Sequence, residues 1–298
     1  MKQKSKISVM EWIEKWLQTY VKPNLAYKTY GSYRVVANIL NTHFPRLNDI
    51  PVNEFNTYQA QCIINSLADK YARSTLCTLR VIFHEAYYYA GEIPSLNAQQ
   101  IGKLKIPKIA RVKKVRAMTR PEQKAVEDAA ETVLLGHIAI FFLRTGLRAS
   151  ELCNLNWNDC NPRNQTIKVR ESKTEAGIRF VPLCEDAQRI LAAQRKHMSD
   201  NAIFHSSNGK RVTETVLRKL ALRLRRESGV TFLTTHVYRH TFATRALEDG
   251  MNVKALSRIL GHTNVAFTMQ RYCTPDVNFL REQMDILDRV RKSRPDGL

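Results

Sequence analysis

The chain has 298 residues, of which 44% are hydrophobic and 25% are charged. This composition is typical of a soluble globular protein and excludes a disordered chain, and the length is enough for two domains with cores of their own. The 47 lysine and arginine residues outnumber the 27 acidic residues and give a formal net charge of +20, which favours a polyanionic partner, above all nucleic acid.

The positive charge is shared along the chain, with +11 in residues 1–118 and +9 in the remainder. Both halves are therefore expected to contact the same polymer, although a basic protein that only stays soluble through self-repulsion is the alternative. No apolar run approaches the roughly 18 residues of a membrane span, and the first residues show no signal-peptide core. A cytoplasmic protein without membrane association is expected.

A helical first domain is predicted for residues 1–102. It begins with a capping box, in which Ser8 precedes the helix and Glu11 follows three positions later. Apolar residues at helical spacing continue from there. Further helical patterns cover residues 26–41, 57–69 and 74–90, and end at Gly91 and Pro94.

A basic linker is predicted for residues 103–118. Residues 103–116 carry seven basic residues and no acidic one, and Pro107 disfavours a continuous helix. A run of this kind is either solvated or wrapped around a phosphate backbone, and the sequence favours neither interpretation. The candidate DNA-binding residues are Lys103, Lys105, Lys108, Arg111, Lys113 and Lys114.

The second domain is predicted for residues 119–298 and begins with another capping box, at Thr119 and Glu122. Helices are expected to about residue 145, followed by a hairpin in which TIKVR and IRFVPL alternate around the turn ESKTEAG. Helical patterns return near 185–198, 213–227, 235–248, 252–260, 264–271 and 277–291. The expected fold is mainly α with a small antiparallel sheet.

Six cysteines show neither paired CxxC spacing nor the density of a disulfide scaffold, so zinc and disulfides are not expected. They are predicted to be buried small apolar groups: Cys62, Cys77, Cys153, Cys160, Cys184 and Cys273.

Several residues able to bind or attack a phosphate occur in a fixed order along the second domain. Arg148 precedes a helix whose first turn holds Glu151, which favours an anion site, and Lys173 lies in the hairpin turn. Each residue alone is typical of a core or surface position. The set continues with His236 and Arg239, three apart on one predicted helix, then His262 after the helix-ending Gly261, and Tyr272 ten residues later. It is the occurrence of all these residues in this order that indicates a function.

This ordered set resembles the tyrosine recombinase, or phage integrase, family. The resemblance runs from TGLRASELCNLNW through ESKTEAGIRFVPL to HVYRHTFATRALEDGMNVKALSRILGHTNVAFTMQRY, and extends more loosely over the first domain. It implies a helical core-binding domain joined to a mixed α/β catalytic domain, which form a C-shaped clamp around double-stranded DNA. The short segment before Ser8 is expected to leave no room for a separate arm-binding domain.

The resemblance also implies the roles of the site residues. Tyr272 is the expected nucleophile, Arg148 and Arg239 the phosphate clamp, with Glu151 supporting Arg148. The other implied catalytic residues are Lys173, His236 and His262. Cys273 and Thr274 stand where the family often has Thr-His, a change expected to alter packing rather than activity.

A site-specific recombinase follows from the resemblance, with a covalent 3′-phosphotyrosine intermediate and no requirement for a metal ion, ATP or other cofactor. Its task would be integration or excision of a mobile element, or resolution of replicons. The expected assembly is a tetramer on paired sites, with accessory DNA-bending proteins as candidate partners. A type IB topoisomerase and a catalytically inactive DNA-binding relative are the alternatives.

The tail after Tyr272 carries an apolar stripe on a predicted helix, formed by Val277, Leu280, Met284 and Leu287. This helix either folds back onto its own domain or docks on a neighbouring subunit, and the resemblance favours docking on the neighbour.

Overall fold

The computed structural model describes residues 7–112, 115–170, 177–196, 200–262 and 264–266, together with Met198 and tail positions 281, 284–286 and 288–289. The chain divides into two compact units, residues 1–114 and 115–298. The first unit is helical, and the second combines helices with a small sheet, so the predicted mainly α fold with a small antiparallel sheet is confirmed.

Helices of the first unit pack around aromatic side chains. Ser8 caps the first helix, because its hydroxyl accepts a hydrogen bond from the amide of Glu11 at 3.2 Å. Of the predicted capping box this is the one hydrogen bond described, and the Glu11 carboxylate accepts from Nζ of Lys15 at 2.8 Å. Trp12 is buried and its Nε1 donates to the carbonyl of Ala86 at 2.8 Å, which joins the first helix to the fourth. The helices are α1 (Val9–Trp16, followed by one π-helical turn over Leu17–Val21), α2 (Tyr27–His43), α3 (Thr57–Ser66) and α4 (Arg73–Gly91).

Residues 103–112, which belong to the predicted linker, pack against the first unit. Leu104 and Ala110 are buried in its core, and the backbone of Lys105 exchanges two hydrogen bonds of 2.8 Å with the side-chain amide of Gln61. The four described basic residues of this segment are exposed: Lys103, Lys105, Lys108 and Arg111. The segment therefore buries Leu104 and Ala110 and presents its charge to solvent, together with the exposed apolar side chains of Ile109 and Val112.

The second unit has helices from Arg120 onward. Thr119 and Glu122 form the predicted capping box at its first helix, with reciprocal hydrogen bonds of 3.3 and 2.8 Å. The described helices are α5 (Arg120–Thr132), α6 (Gly136–Thr145), α7 (Ala149–Cys153), α8 (Glu185–Arg195), α9 (Glu214–Ser228), α10 (Thr235–Glu248) and α11 (Val253–Leu260).

The apolar helix α6 lies at the centre of this unit, in contact with α5, α8 and α10. Phe142 of α6 stacks on Tyr238 of α10, with ring centroids 5.6 Å apart. The helix ends at Gly146, which has a φ of +62°, and a Cβ at this position would lie 2.3 Å from the ring of Phe242. Only glycine satisfies both requirements, and its turn brings Arg148 to the start of α7.

The predicted hairpin is confirmed as β2 (Thr166–Val169) and β3 (Arg179–Pro182), which pair antiparallel with Ile167 opposite Val181. A third strand, β1 (Cys160–Asn161), pairs with β2 and was not predicted. Two residues are too few to show an alternating pattern, which explains why the sequence did not indicate this strand. The hairpin turn, residues 171–176, lies outside the described residues.

The prediction that the cysteines are buried is wrong for Cys62 and Cys184, which are exposed, while Cys153 is buried and Cys77 and Cys160 are half-buried. These five are free thiols, and Cys273 lies outside the described residues. The helices predicted near 264–271 and 277–291 also lie largely outside them. No described helix is both long and apolar enough to span a membrane.

Candidate active site

Arg148 immediately precedes α7 and is held by Glu151. Its Nη1 donates to Oε1 of Glu151 at 2.6 Å, and its backbone amide donates to Oε2 at 2.8 Å. The side chain of Glu151 is almost fully buried, whereas that of Arg148 is 34% exposed. The buried carboxylate thus holds Arg148, while part of the Arg148 side chain reaches the surface.

Arg179 of β3 binds the same carboxylate. Its Nη1 and Nη2 donate to the two oxygens of Glu151 at 2.9 and 3.0 Å, a bidentate ion pair. Nη1 also donates to the carbonyl of Gly177 at 2.9 Å, and Nε donates to the carbonyl of Ile259 at 2.5 Å. The Arg179 side chain is 6% exposed, so this guanidinium is almost entirely enclosed by its partners.

His236 and Arg239 lie at the beginning of α10, which is capped by the hydroxyl of Thr234. His236 is exposed and Arg239, one turn later, is buried. Nη1 of Arg239 donates to the carbonyl of Gly146 at 2.9 Å, and Nη2 donates to that of Leu260 at 2.6 Å. Arg239 therefore joins the carboxyl end of α6 to that of α11.

Helix α11 ends at Gly261, whose φ of +67° lies in the left-handed region that favours glycine. The amides of Gly261 and His262 donate to the carbonyls of Arg258 and Ser257, both at 3.0 Å, and close the helix end. This turn brings Nε2 of His262 to 3.0 Å from Nη2 of Arg239. The prediction that a helix ends at Gly261, directly before His262, is confirmed.

Three consecutive carbonyl groups at this helix end accept hydrogen bonds from three different arginines. Ile259 accepts from Arg179 at 2.5 Å, Leu260 from Arg239 at 2.6 Å and Gly261 from Arg148 at 3.2 Å. The last carbonyls of a helix lack partners within it and carry partial negative charge, so cations are stabilised there. The carboxyl end of α11 therefore organises the arginines of the site.

The pKa of Glu151 shows which charge state this arrangement stabilises. Burial alone would raise the pKa of this carboxyl, but the hydrogen bonds and positive charge of Arg179, with the amide and charge of Arg148, outweigh burial and lower it below its usual range. Glu151 is therefore ionised at neutral pH and holds two guanidiniums.

Comparison of the chain with known protein families identifies the class to which it belongs. The model of the phage integrase family matches residues 108–278, more than half of the chain. The chain belongs to the phage integrase family. Among its relatives, a tyrosine recombinase XerC from Thermodesulfovibrio yellowstonii is 29% identical over 234 residues, which cover 70% of this chain and 73% of that protein.

Solved structures with the same fold include other integrases. The Tn1549 transposon integrase, in complex with transposon right end DNA, is similar with a TM-score of 0.78 and 21% identity, covering 94% of this chain and 99% of that one. A lambda integrase tetramer bound to a Holliday junction has a TM-score of 0.73 and 21% identity, covering 91% of this chain and 78% of that one.

Of the six catalytic residues predicted for this integrase-family chain, four are described. The structure brings Arg148, Arg239 and His262 together at the carboxyl end of α11, and places His236 on the same helix as Arg239. Lys173 and Tyr272 lie outside the described residues, as do Lys113 and Lys114 of the basic segment.

Arg179 was not among the predicted site residues, although the sequence contains a signal for it. Side chains alternate between the two faces of a strand, so Arg179 shares a face with the core residue Val181. An arginine on the inward face of a strand requires a buried acceptor. The alternation therefore indicated a buried ion pair, but not that Glu151 was its partner.

Proposed function

We propose that this integrase-family protein is a site-specific recombinase that cleaves and rejoins double-stranded DNA through a 3′-phosphotyrosine at Tyr272. Family membership supports DNA strand cleavage and rejoining as the activity. The observation that carries the finer proposal is the meeting of Arg148, Arg239 and His262 at one helix turn. These are the side chains best suited to bind a phosphodiester.

Arg148 and Arg239 bind the two non-bridging oxygens of the scissile phosphate in this proposal. A guanidinium presents a planar fork of five N–H donors, so it can bind a backbone carbonyl and still donate to a phosphate. The contacts to Gly261 and Leu260 hold the two forks in place before DNA binds. A site arranged in advance stabilises the charge that develops in the transition state without reorganising.

Proton transfers complete the reaction. The Oη of Tyr272 forms a bond to phosphorus as the bond from phosphorus to the 5′ oxygen breaks. His236, exposed at the start of α10, accepts the phenol proton, and Lys173 donates a proton to the departing 5′ oxygen. His262 donates a hydrogen bond to the same phosphate.

The covalent intermediate makes the reaction reversible. A phosphotyrosine retains the energy of the broken phosphodiester, so a 5′ hydroxyl of another strand can attack it and rejoin DNA without ATP. Side chains supply the positive charge that metal ions supply in many phosphoryl transfers, so the proposal requires no metal ion or other cofactor.

The assembly that we propose is a homotetramer on two paired DNA sites. The similar lambda integrase tetramer on a Holliday junction supports this proposal. In each protomer the helical unit, the catalytic unit and the basic segment 103–118 contact one duplex, which accounts for positive charge in both halves of the chain. Integration or excision of a mobile element, or replicon resolution, is the biological task.

Tyr272→Phe tests the nucleophile. The substitution removes one hydroxyl and little volume, so we expect unchanged folding and DNA binding and complete loss of the covalent adduct. The measurement is adduct formation on a nicked duplex whose cleaved end diffuses away, followed by denaturing gel and peptide mapping. Tyr58→Phe is the control, because Tyr58 is 77% exposed in the helical unit and should retain full adduct formation.

The same measurement separates the alternatives. An adduct formed by Tyr272→Phe would contradict the assignment of the nucleophile. DNA binding by the wild-type protein without any adduct would favour a non-catalytic DNA-binding protein. Adduct formation and relaxation of supercoiled DNA by a monomer, without strand exchange between sites, would favour a type IB topoisomerase.

A further inference from the structure

The buried guanidinium of Arg179 is used by none of the steps above. It forms a bidentate ion pair with Glu151, the carboxylate that also holds Arg148. We infer that Arg179 is a positioning residue that offsets the negative charge of Glu151. The positive charge of Arg148 is then not cancelled by Glu151 and can attract the scissile phosphate. The inference rests on the proposed function, because it concerns the same phosphate site.

Charge balance supports this role. Arg148, Glu151 and Arg179 together carry one net positive charge, and Glu151 and Arg179 are almost fully buried. Without Arg179, the carboxylate and Arg148 would form a neutral pair in a poorly solvated site, where electrostatic interactions are strong. The attraction between Arg148 and a phosphate would then be largely cancelled by Glu151 beside it.

Hydrogen bonding supports the same role. Oε1 of Glu151 accepts from Arg148 and Arg179, and Oε2 accepts from the Arg148 amide and Arg179. Arg179 thus supplies two of these four hydrogen bonds. Their loss would leave a buried carboxylate with Arg148 as its remaining cation in this group, and Arg148 would be drawn more strongly towards it.

Arg179 also joins the elements of the site. It lies on β3, its Nε binds the carbonyl of Ile259 in α11, and a Cβ at Gly261 would lie only 3.0 Å from its side chain. The glycine turn that orients His262 is therefore packed directly against Arg179. One side chain therefore contacts both the carboxylate that holds Arg148 and the helix end whose carbonyls bind Arg148 and Arg239.

The test compares Arg179→Met, Arg179→Met/Glu151→Gln, Arg179→Lys and Arg170→Met. Methionine removes the charge while keeping an unbranched side chain. The double variant restores one net positive charge, because the amide that replaces the Glu151 carboxylate still offers Arg148 a carbonyl oxygen but carries no charge. Arg170, which follows β2 and donates to Asp159, is the control for loss of an arginine from the hairpin.

Single-turnover cleavage of the nicked duplex is measured at saturating protein, for variants with unchanged circular dichroism. We expect Arg179→Met to cleave about 100-fold more slowly than wild type, the size of effect that follows loss of one preorganised electrostatic group. The double variant should cleave at least about tenfold faster than Arg179→Met. Arg179→Lys should also cleave faster than Arg179→Met, because both variants retain one net positive charge in the group. A double variant no faster than Arg179→Met would overturn the charge-balancing role.

A second readout needs neither DNA nor activity. In protein labelled with carboxyl-13C glutamate, the Glu151 resonance is identified by its absence from Glu151→Gln. We expect it to titrate below the usual range in wild type and at clearly higher pH in Arg179→Met, because burial then outweighs the remaining hydrogen bonds. An unchanged titration would overturn the inference.

The two readouts separate this inference from the proposed function. If the wild-type protein forms no DNA adduct, the proposed function fails, and the Glu151 titration still decides whether Arg179 controls the charge of this group. If the wild-type protein cleaves DNA and Arg179→Met cleaves equally well, the proposed function stands and the role of Arg179 is refuted.

Discussion

At the scale of single residues, the site uses arginine where a cation must bind several groups at once. Arg148 donates to the carboxylate of Glu151 and to the carbonyl of Gly261, and Arg239 donates to the carbonyls of Gly146 and Leu260. A lysine ammonium is a compact point charge on a flexible stem and cannot bridge acceptors in this planar way. The geometry of the guanidinium matters here as much as its charge.

Arg148→Lys therefore should retain DNA binding and lose most of its cleavage activity. We expect a loss of about 100-fold or more in the single-turnover rate, because the charge remains but the planar fork that bridges phosphate, carboxylate and carbonyl is lost. Binding is measured by gel shift and cleavage on the nicked duplex.

Arg144→Lys is the matched control for this substitution. Arg144 also bridges two acceptors, Glu127 and Asp186, and its side chain is 25% exposed, close to the value for Arg148. It should affect stability but not the cleavage rate of the folded protein. Equal cleavage by Arg148→Lys and wild type would remove Arg148 from the phosphate clamp.

At the scale of secondary-structure elements, the features that depend on neighbouring residues could be predicted from the sequence, whereas those that depend on residues far apart in the chain could not. Helix ends were predictable where a capping residue or a glycine interacts with the backbone only a few positions away. Examples are Ser8, Thr119 and Gly261. The two-residue strand β1 and the convergence of three arginines on α11 depend on residues far apart in the chain. Neither follows from local periodicity.

The basic segment shows the same limit. Its charge predicted an exposed run, but the burial of Leu104 and Ala110 against the first unit depends on the core that they join. The result is a segment whose backbone is anchored while Lys103, Lys105 and Lys108 are exposed. Anchored cations lose less conformational freedom when they bind a phosphate backbone than cations on a free chain.

Replacing Lys105, Lys108, Lys113 and Lys114 with glutamine tests this segment. Each phosphate contact contributes about 0.9 to the slope of log affinity against log salt, so we expect the slope to fall by up to about 3.6 on any duplex. Binding is measured by fluorescence anisotropy at several salt concentrations.

The control replaces four exposed lysines outside the segment, Lys22, Lys70, Lys196 and Lys254, and removes the same net charge. It should weaken binding less and change the slope less than the segment variant does. Equal slopes for the wild type and the segment variant would mean that the basic run is only solvated.

At the scale of the whole molecule, the proposed tetramer requires coordination between protomers from parts of the chain other than the phosphate clamp. The clamp residues Arg148 and Arg239, together with His262, come from a single protomer and bind one phosphate in the proposed function. Strand exchange requires that active sites on different protomers act in turn, which in a cyclic assembly requires a contact from each protomer to the next. The tail is the candidate for that contact, because only a few residues separate its apolar stripe from Tyr272.

Deletion of residues 277–298 tests this contact. Of the predicted stripe, Met284 is described, and it is helical and 57% exposed, which leaves it available to a neighbouring protomer. We expect the deletion to leave binding to a single DNA site intact, to abolish assembly on paired sites and to make cleavage uncoordinated between protomers. Deletion of residues 292–298 alone is the control, because it spares the stripe and should preserve assembly. Gel shift and sedimentation on paired sites measure the outcome. If the protein truncated after residue 276 still forms tetramers on DNA, docking of the tail on the neighbour is refuted. That result would favour a tail that folds back onto its own domain.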